Sequence, residues 1–175
     1  MGRGIKPDFQ FFAVTDFDSA WLRANGIRGL LLDMDNTIVS WHAPLVTGAV
    51  RSWAQELRTG GIGVCIVSNS RYPEKVARVA AALDFPYLHR AKKPRQKGFG
   101  AGRAILGLER GEVLVVGDQL FTDVYGGNRG HMRTCLVCPI SSTEFAGTKL
   151  LRFLERLAGR TPRFQQGEER GRRSS

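Results

Sequence analysis

The chain has 175 residues, 42% hydrophobic and 24% charged, which are the proportions of a folded globular protein and exclude a disordered or fibrous one. No run reaches the roughly 18 uncharged apolar residues that a bilayer-spanning helix needs. The net charge of +10 directs attention to phosphate-bearing partners: nucleic acid, anionic lipid or a phosphorylated substrate.

In chain order, the opening MGRGIKPDFQFF lacks the longer apolar segment and cleavage site of a secretory leader, so cytoplasmic residence is expected. Residues 1–15 read as an arm or an additional strand. GLLLDMD (29–35) is an apolar run ending in carboxylates, a strand. Residues 47–60 carry Val50, Trp53, Ala54 and Leu57 at helical spacing, and Gly60-Gly61 ends the helix. IGVCIVSNS (62–70) is a second strand entering a polar turn. Pro73 to Leu83 is a helix with proline in its first turn and Val76, Val79, Ala80 and Leu83 on one face. FPYLHRA (85–91) is a short third strand. Residues 97–108 are helical by pattern, although Gly98, Gly100 and Gly102 each cost on the order of 1 kcal/mol there. EVLVVGD (112–118) and MRTCLVCPI (132–140) are the fourth and fifth strands.

Near-continuous Val, Ile and Leu runs indicate strands covered on both faces by helices. The fold class is therefore α/β: a doubly wound, Rossmann-like parallel sheet of about five strands flanked by helices. Residues 1–160 form a single domain, and the polar, basic segment 161–175 reads as a disordered tail. Within 149–160, five apolar residues alternate with Lys149, Arg152, Arg156 and Arg160. Such a helix either packs on the sheet or lies on anionic lipid. Cys65, Cys135 and Cys138 are an odd number in apolar runs, and the C-x-x-C pair has no second ligand pair, so neither a disulfide framework nor structural zinc is expected.

Ligands in such folds sit beyond the carboxyl ends of the strands. Asp33 and Asp35 fall there after the first strand, Ser68 and Asn69 after the second, and Asp118 after the fourth. Two carboxylates two residues apart suit covalent phosphoryl transfer, one attacking phosphorus and the other protonating the leaving oxygen. D-x-D-x-T alone also fits a calcium or capping loop. Ser68 and Asn69 add phosphate hydrogen bonds, Lys93 a fixed positive charge, and Gly117–Asp123 further carboxylates suited to Mg2+. Gly98–Gly102 lacks the preceding strand of a nucleotide loop. His42 could line the mouth; His89 and His131 have no metal-ligand spacing.

The ordered set DMDNT, SNS, AKKP and GDQLFTD resembles the four motifs of haloacid dehalogenase (HAD) superfamily phosphatases. The surrounding GLLLDMDNT, IVSNS, RAKKP and VVGDQLFTDVYGGNRG resemble the YqeG family of subfamily IIIA, related to mitochondrial phosphatidylglycerophosphatase. This resemblance implies a Mg2+-dependent phosphatase with Asp33 as nucleophile and metal ligand. Asp35 would be the acid/base, binding metal through its backbone carbonyl. Ser68, Asn69 and Lys93 would hold the phosphoryl group, Asp118 would complete the protein's metal ligands, and Asp123 would be a ligand or support one. Lys93 is preferred to Lys92 because it directly precedes Pro94.

The intervals 36–67 and 69–92 each hold one helix and short connections, leaving no room for a large cap domain. An open cleft would accept phosphate on something large or membrane-embedded. The implied substrate is phosphatidylglycerophosphate, met by a protein peripheral on the inner face of the membrane with no transmembrane segment. The alternatives are a phosphatase for a soluble phosphometabolite or phosphoprotein, a phospho-signalling module, and a basic RNA-binding module. The second acid at Asp35 argues against signalling, and the motif lysine within RAKKPRQK argues against nucleic acid as the partner.

Overall fold

The computed structural model describes residues 4–42 and 44–140. The expected helix at 149–160 and the tail at 161–175 lie outside these residues. The chain passes through strand β1 (Phe9–Phe11), helix α1 (Ser19–Ala24), strand β2 (Gly29–Leu32), helix α2 (Gly48–Thr59) and strand β3 (Gly63–Val67). It continues with helix α3 (Pro73–Leu83), strand β4 (Tyr87–Leu88), helix α4 (Gln96–Leu106), strand β5 (Val113–Gly117), a π-helical turn (Leu120–Tyr125), helix α5 (Gly126–Arg129) and strand β6 (Arg133–Val137).

The strands form one parallel sheet in the order β1-β6-β5-β2-β3-β4. The sheet has six strands where periodicity predicts about five. The sixth, β1, is only three residues long, and it pairs with β6 through Phe9 opposite Cys135 and Phe11 opposite Val137. A run that short carries no period, and its partner lies far along the chain.

Alternate residues of the central strands serve two cores. Leu30, Leu32, Ile66 and Val116 face Trp53 and Leu57 of α2 and Val76 and Val79 of α3. Leu31, Cys65, Val67 and Val115 face the other way, against Phe99 of α4. Burial on both faces is why these strands read as unbroken apolar runs. Each fully buried Leu or Ile contributes roughly 1.5–3 kcal/mol through water release.

Helix ends follow local chemistry. The Thr47 hydroxyl accepts the Val50 N–H at the start of α2, and Pro73 occupies the first turn of α3. In α4, the glycines at 98 and 102 are buried, and an added Cβ at Gly102 would come within 2.9 Å of Leu31 Cδ2. Close approach of α4 to the sheet therefore accounts for Gly102 at a helical position. The short helix α1, capped by the Asp18 carboxylate on the Trp21 N–H, has too few residues to register as a period.

Strand order also locates the cleft. From β2 the chain moves outward through β3 and β4, then crosses back to β5 and β6 on the other side of β2. Successive connections leave β2 and β5 in opposite directions, which opens a crevice at their carboxyl ends.

Candidate active site

Asp33 is the first residue beyond β2 and is tied to the neighbouring strand by its N–H, donated to the Val116 carbonyl at 2.8 Å. The chain then curls tightly: the Met34 carbonyl accepts N–H groups from Thr37, Ile38 and Val39, and Asn36 adopts φ 59°. This curl brings Thr37 back beneath Asp33. Its buried hydroxyl lies 3.3 Å from Asp33 Oδ2 and 3.4 Å from Asp118 Oδ1. The Asp35 carboxylate lies apart from that pair, 2.5 Å from Lys75 Nζ, a residue of the first turn of α3. The same ammonium lies 4.6 Å from the centroid of the exposed Trp41 ring, placing positive charge at the mouth.

The loops after β3 and β4 are laced together. The Ala91 N–H donates to the Ser68 carbonyl at 3.0 Å and the Arg90 N–H to the Ser70 carbonyl at 3.1 Å. Asn69 grips Lys93 from both sides: its Oδ1 accepts the Lys93 N–H at 2.7 Å, and its Nδ2 donates to the Lys93 carbonyl at 3.1 Å. The side chain expected to bind phosphate thus holds the lysine's main chain. Ser68 is buried; its Oγ accepts the Ser70 N–H at 3.0 Å, leaving its own O–H to donate. Asp33, Asp35, Ser68 and Lys93 line one hollow of about 250 Å³.

Lys93 is 6% exposed, with its ammonium between Asp33 Oδ1 at 2.5 Å and Asp123 Oδ1 at 2.7 Å. Burial pulls its pKa down, but the charges and hydrogen bonds of Asp123 and Asp33 outweigh burial, and the net displacement is upward. It stays a cation.

Asp118 and Asp123 follow β5. The π-helical turn carries the Asp123 carboxylate back over Gly117, where an added Cβ would meet Asp123 Oδ2 at 2.2 Å, so only glycine fits there. One carboxylate oxygen from each of Asp33, Asp118 and Asp123 lies within 4.8 Å of the others, all three residues being buried. Burial, then repulsion from Asp33 and Asp123, pushes Asp118 up to about 7. Burial also pushes Asp123 up, to about 6, against the opposing pull of Lys93. Three carboxylates facing one lysine are short of positive charge. Hard oxygen donors converging in that deficit suit a divalent cation of the Mg2+ kind.

The strand-end residues chosen from sequence therefore meet at one crevice, with Asp123 fully inside the acidic cluster. Sequence reasoning missed Lys75 and the hydrogen-bonding position of Thr37. A lysine in the first turn of a helix that follows a motif strand is the only local sign of the former. His42 is exposed and lies outside the lining of the hollow.

Comparison with known proteins gives the same picture from another direction. Residues 90–139 match the family described as HAD-hydrolase-like. The chain is 36% identical over 135 residues to "Probable phosphatase YqeG" of Bacillus subtilis, covering 77% of this chain and 78% of that one. It is 32% identical over 150 residues to the chloroplastic "Phosphatidylglycerophosphate phosphatase 1" of Chlamydomonas reinhardtii, covering 77% of this chain but only 53% of the longer algal protein. The fold matches that of 3-deoxy-D-manno-octulosonate 8-phosphate phosphatase from Yersinia pestis with a TM-score of 0.52 at 19% identity, over 86% of this chain and 79% of that one. A crevice of this composition, on this sheet, with that identity across most of a bacterial relative, leads to one assignment: the chain belongs to the YqeG family of haloacid dehalogenase-type phosphatases and is a phosphoric monoester hydrolase.

Proposed function

We propose that the protein hydrolyses phosphatidylglycerophosphate to phosphatidylglycerol and phosphate, through an aspartyl-phosphate on Asp33 and with Mg2+ as cofactor. The observation that carries the chemistry is the seat of Asp33, fixed at the end of β2 with Lys93 on one oxygen and Thr37 on the other. Asp33 attacks phosphorus as the bond to the leaving alkoxide breaks, and Asp35 gives that oxygen its proton. Asp35 then takes a proton from the water that attacks the aspartyl-phosphate, which releases phosphate and restores Asp33. Ser68 donates its O–H to a phosphoryl oxygen, while Lys93 balances charge on Asp33 and on the transferring group. Asp33, Asp118 and Asp123, with the Asp35 main-chain carbonyl implied by family resemblance, are the residues that would hold the cation. Bound there, Mg2+ supplies the positive charge that lets carboxylates and phosphoryl oxygens share one cavity.

The lipid substrate is supported by the algal and plant relatives named as phosphatidylglycerophosphate phosphatases. Exposed aromatic side chains at the cleft also support it: Trp41, Tyr72 and, between the lining residues Gln119 and Thr122, Phe121. Such rings favour the membrane–water interface, and a basic chain is drawn to anionic lipid. No helix among the described residues is long and apolar enough to cross a membrane. The reading places the protein peripherally on the cytoplasmic face.

Phosphate release from phosphatidylglycerophosphate in mixed micelles tests the proposal. The expected outcome is activity abolished by chelator, restored by Mg2+, and lowered at least about 1,000-fold in Asp33→Asn with the melting temperature retained. Turnover of para-nitrophenyl phosphate without turnover of the lipid would replace the substrate with a soluble phosphomonoester. Full activity in Asp33→Asn would remove the mechanism.

A further inference from the structure

Beside the catalytic hollow lies a second, open one of about 520 Å³, lined by Asn69, Arg71, Arg90 and Lys92. Asn69 and Arg71 line both hollows. The second hollow is strongly positive: three cationic side chains surround it, and among the described residues none of the three has a carboxylate partner. Gathering like charges without a counter-ion is unfavourable. Three described arginines elsewhere have a carboxylate partner, Arg28 with Glu112, Arg58 with Asp84 and Arg103 with Glu109, and Arg23, Arg51 and Arg133 each donate to a main-chain carbonyl.

The backbone holds these cations in place. Arg90 and Lys92 take φ values of 49° and 57°, a left-handed conformation that non-glycine residues adopt only at a cost. Between and after them, Ala91 and Lys93 are buried, while Arg90 and Lys92 are exposed. The same loop therefore aims Lys93 at Asp33 and turns its neighbours to the adjoining hollow. Hydrogen bonds from Ala91, Arg90 and Lys93 to residues 68–70 keep both sets in register. A positive hollow built on the loop that carries the catalytic-site lysine is placed to read a second anion on the same substrate. Guanidinium groups match phosphate oxygens in pairs of parallel hydrogen bonds.

We propose that Arg71, Arg90 and Lys92 form a second anion subsite, which binds a phosphodiester or second phosphate joined through a short linker to the phosphomonoester being cleaved. This rests on the phosphatase reading above and deepens it. A lipid whose headgroup carries both a phosphodiester and a terminal phosphate has the required chemistry, and so does a soluble bisphosphate.

Calorimetric titration of the full-length Asp33→Asn protein in Mg2+ buffer tests the subsite without turnover. The probes are glycerol 3-phosphate, the acyl-free headgroup glycerophosphoglycerophosphate, and fructose 1,6-bisphosphate. At least one compound with two anionic groups should bind about tenfold or more tightly than glycerol 3-phosphate, the scale of one well-formed charge-assisted contact. Adding Arg90→Gln and Lys92→Gln should reduce that preference to less than about twofold. Equal affinity for all three probes would overturn the subsite. So would a preference that survives the double substitution, or an equal loss of affinity for every probe, which would mean that the two side chains act through Lys93. Tighter binding of the acyl-free headgroup supports a lipid source. Tighter binding of the sugar bisphosphate leaves the subsite standing and removes the lipid substrate.

Discussion

Asp118 shares one buried corner with two other carboxylates, and this fixes how the cation-free protein responds to pH. Its carboxyl is displaced from an ordinary 3.8 up to about 7, by burial first and by Asp33 and Asp123 next. The folded state then holds this proton more tightly than the unfolded chain does. The stability it contributes is complete below about 4 and is lost as pH rises through about 7. Asp123, displaced upward to about 6, acts in the same direction. In chelator, the melting temperature should therefore fall by about 5 °C or more between pH 5 and pH 8. Mg2+ at pH 8 should restore it, and Asp118→Asn should flatten the dependence; a melting temperature that rises steadily over this range in chelator would contradict the acidic cluster. At this scale the sequence is legible for residue type more than for orientation. Lys92 and Lys93 are adjacent; the position before Pro94 singles out Lys93 in the sequence, and the alternation of the 90–93 loop buries it against Asp33 while leaving Lys92 exposed over the next hollow. Asn69 reads as a phosphate ligand because its amide can donate, yet Lys93 offers that amide both a donor and an acceptor.

At the scale of elements, the central strands and the helices α2, α3 and α4 were legible because each buries a continuous face and so prints a period on the sequence. The strand β1 was legible only as one of two readings, an arm or an additional strand, because its stability comes from elsewhere. Its Phe11 is 3% exposed and packs 5.2 Å from Phe17 and 5.1 Å from Trp21, ring centroid to centroid, in an aromatic group joining β1 to α1. Phe11→Ala should cost about 3–5 kcal/mol of folding stability in urea denaturation. Phosphate release per folded molecule should stay within about twofold, because β6 separates β1 from the catalytic strand ends. A loss of activity without a loss of stability would show that the edge strand bears on the crevice directly. The glycines of α4 teach a related lesson. By propensity they argue against a helix, yet at Gly102 the approach of Leu31 and Val67 makes the missing side chain a packing requirement.

For the whole molecule, net charge and cleft shape belong together. On the proposed lipid reading, a chain of charge +10 with exposed cations and aromatic rings around its cleft meets its substrate in an anionic surface. Raising salt from about 0.1 M to about 1 M shortens electrostatic reach from about 10 Å to about 3 Å, so hydrolysis of phosphatidylglycerophosphate in anionic vesicles should fall at least about fivefold. Para-nitrophenyl phosphate, which needs no surface, should change less than about twofold; equal salt sensitivity of the two would place the effect in the catalytic hollow and not at a membrane. The sequence by itself determined the parallel α/β fold and the order of acid, hydroxyl, lysine and acid at successive strand ends, because burial on both sheet faces leaves apolar runs that end where the polar cleft begins. Only the tertiary structure decided the remaining partners: Asp123 as the second carboxylate on Lys93, Lys75 as the cation on Asp35, and the main chain of Lys93 as the hydrogen-bond partner of Asn69. Those pairings join segments that meet only after the chain has crossed the sheet, and no local pattern of residues encodes a distance closed by folding.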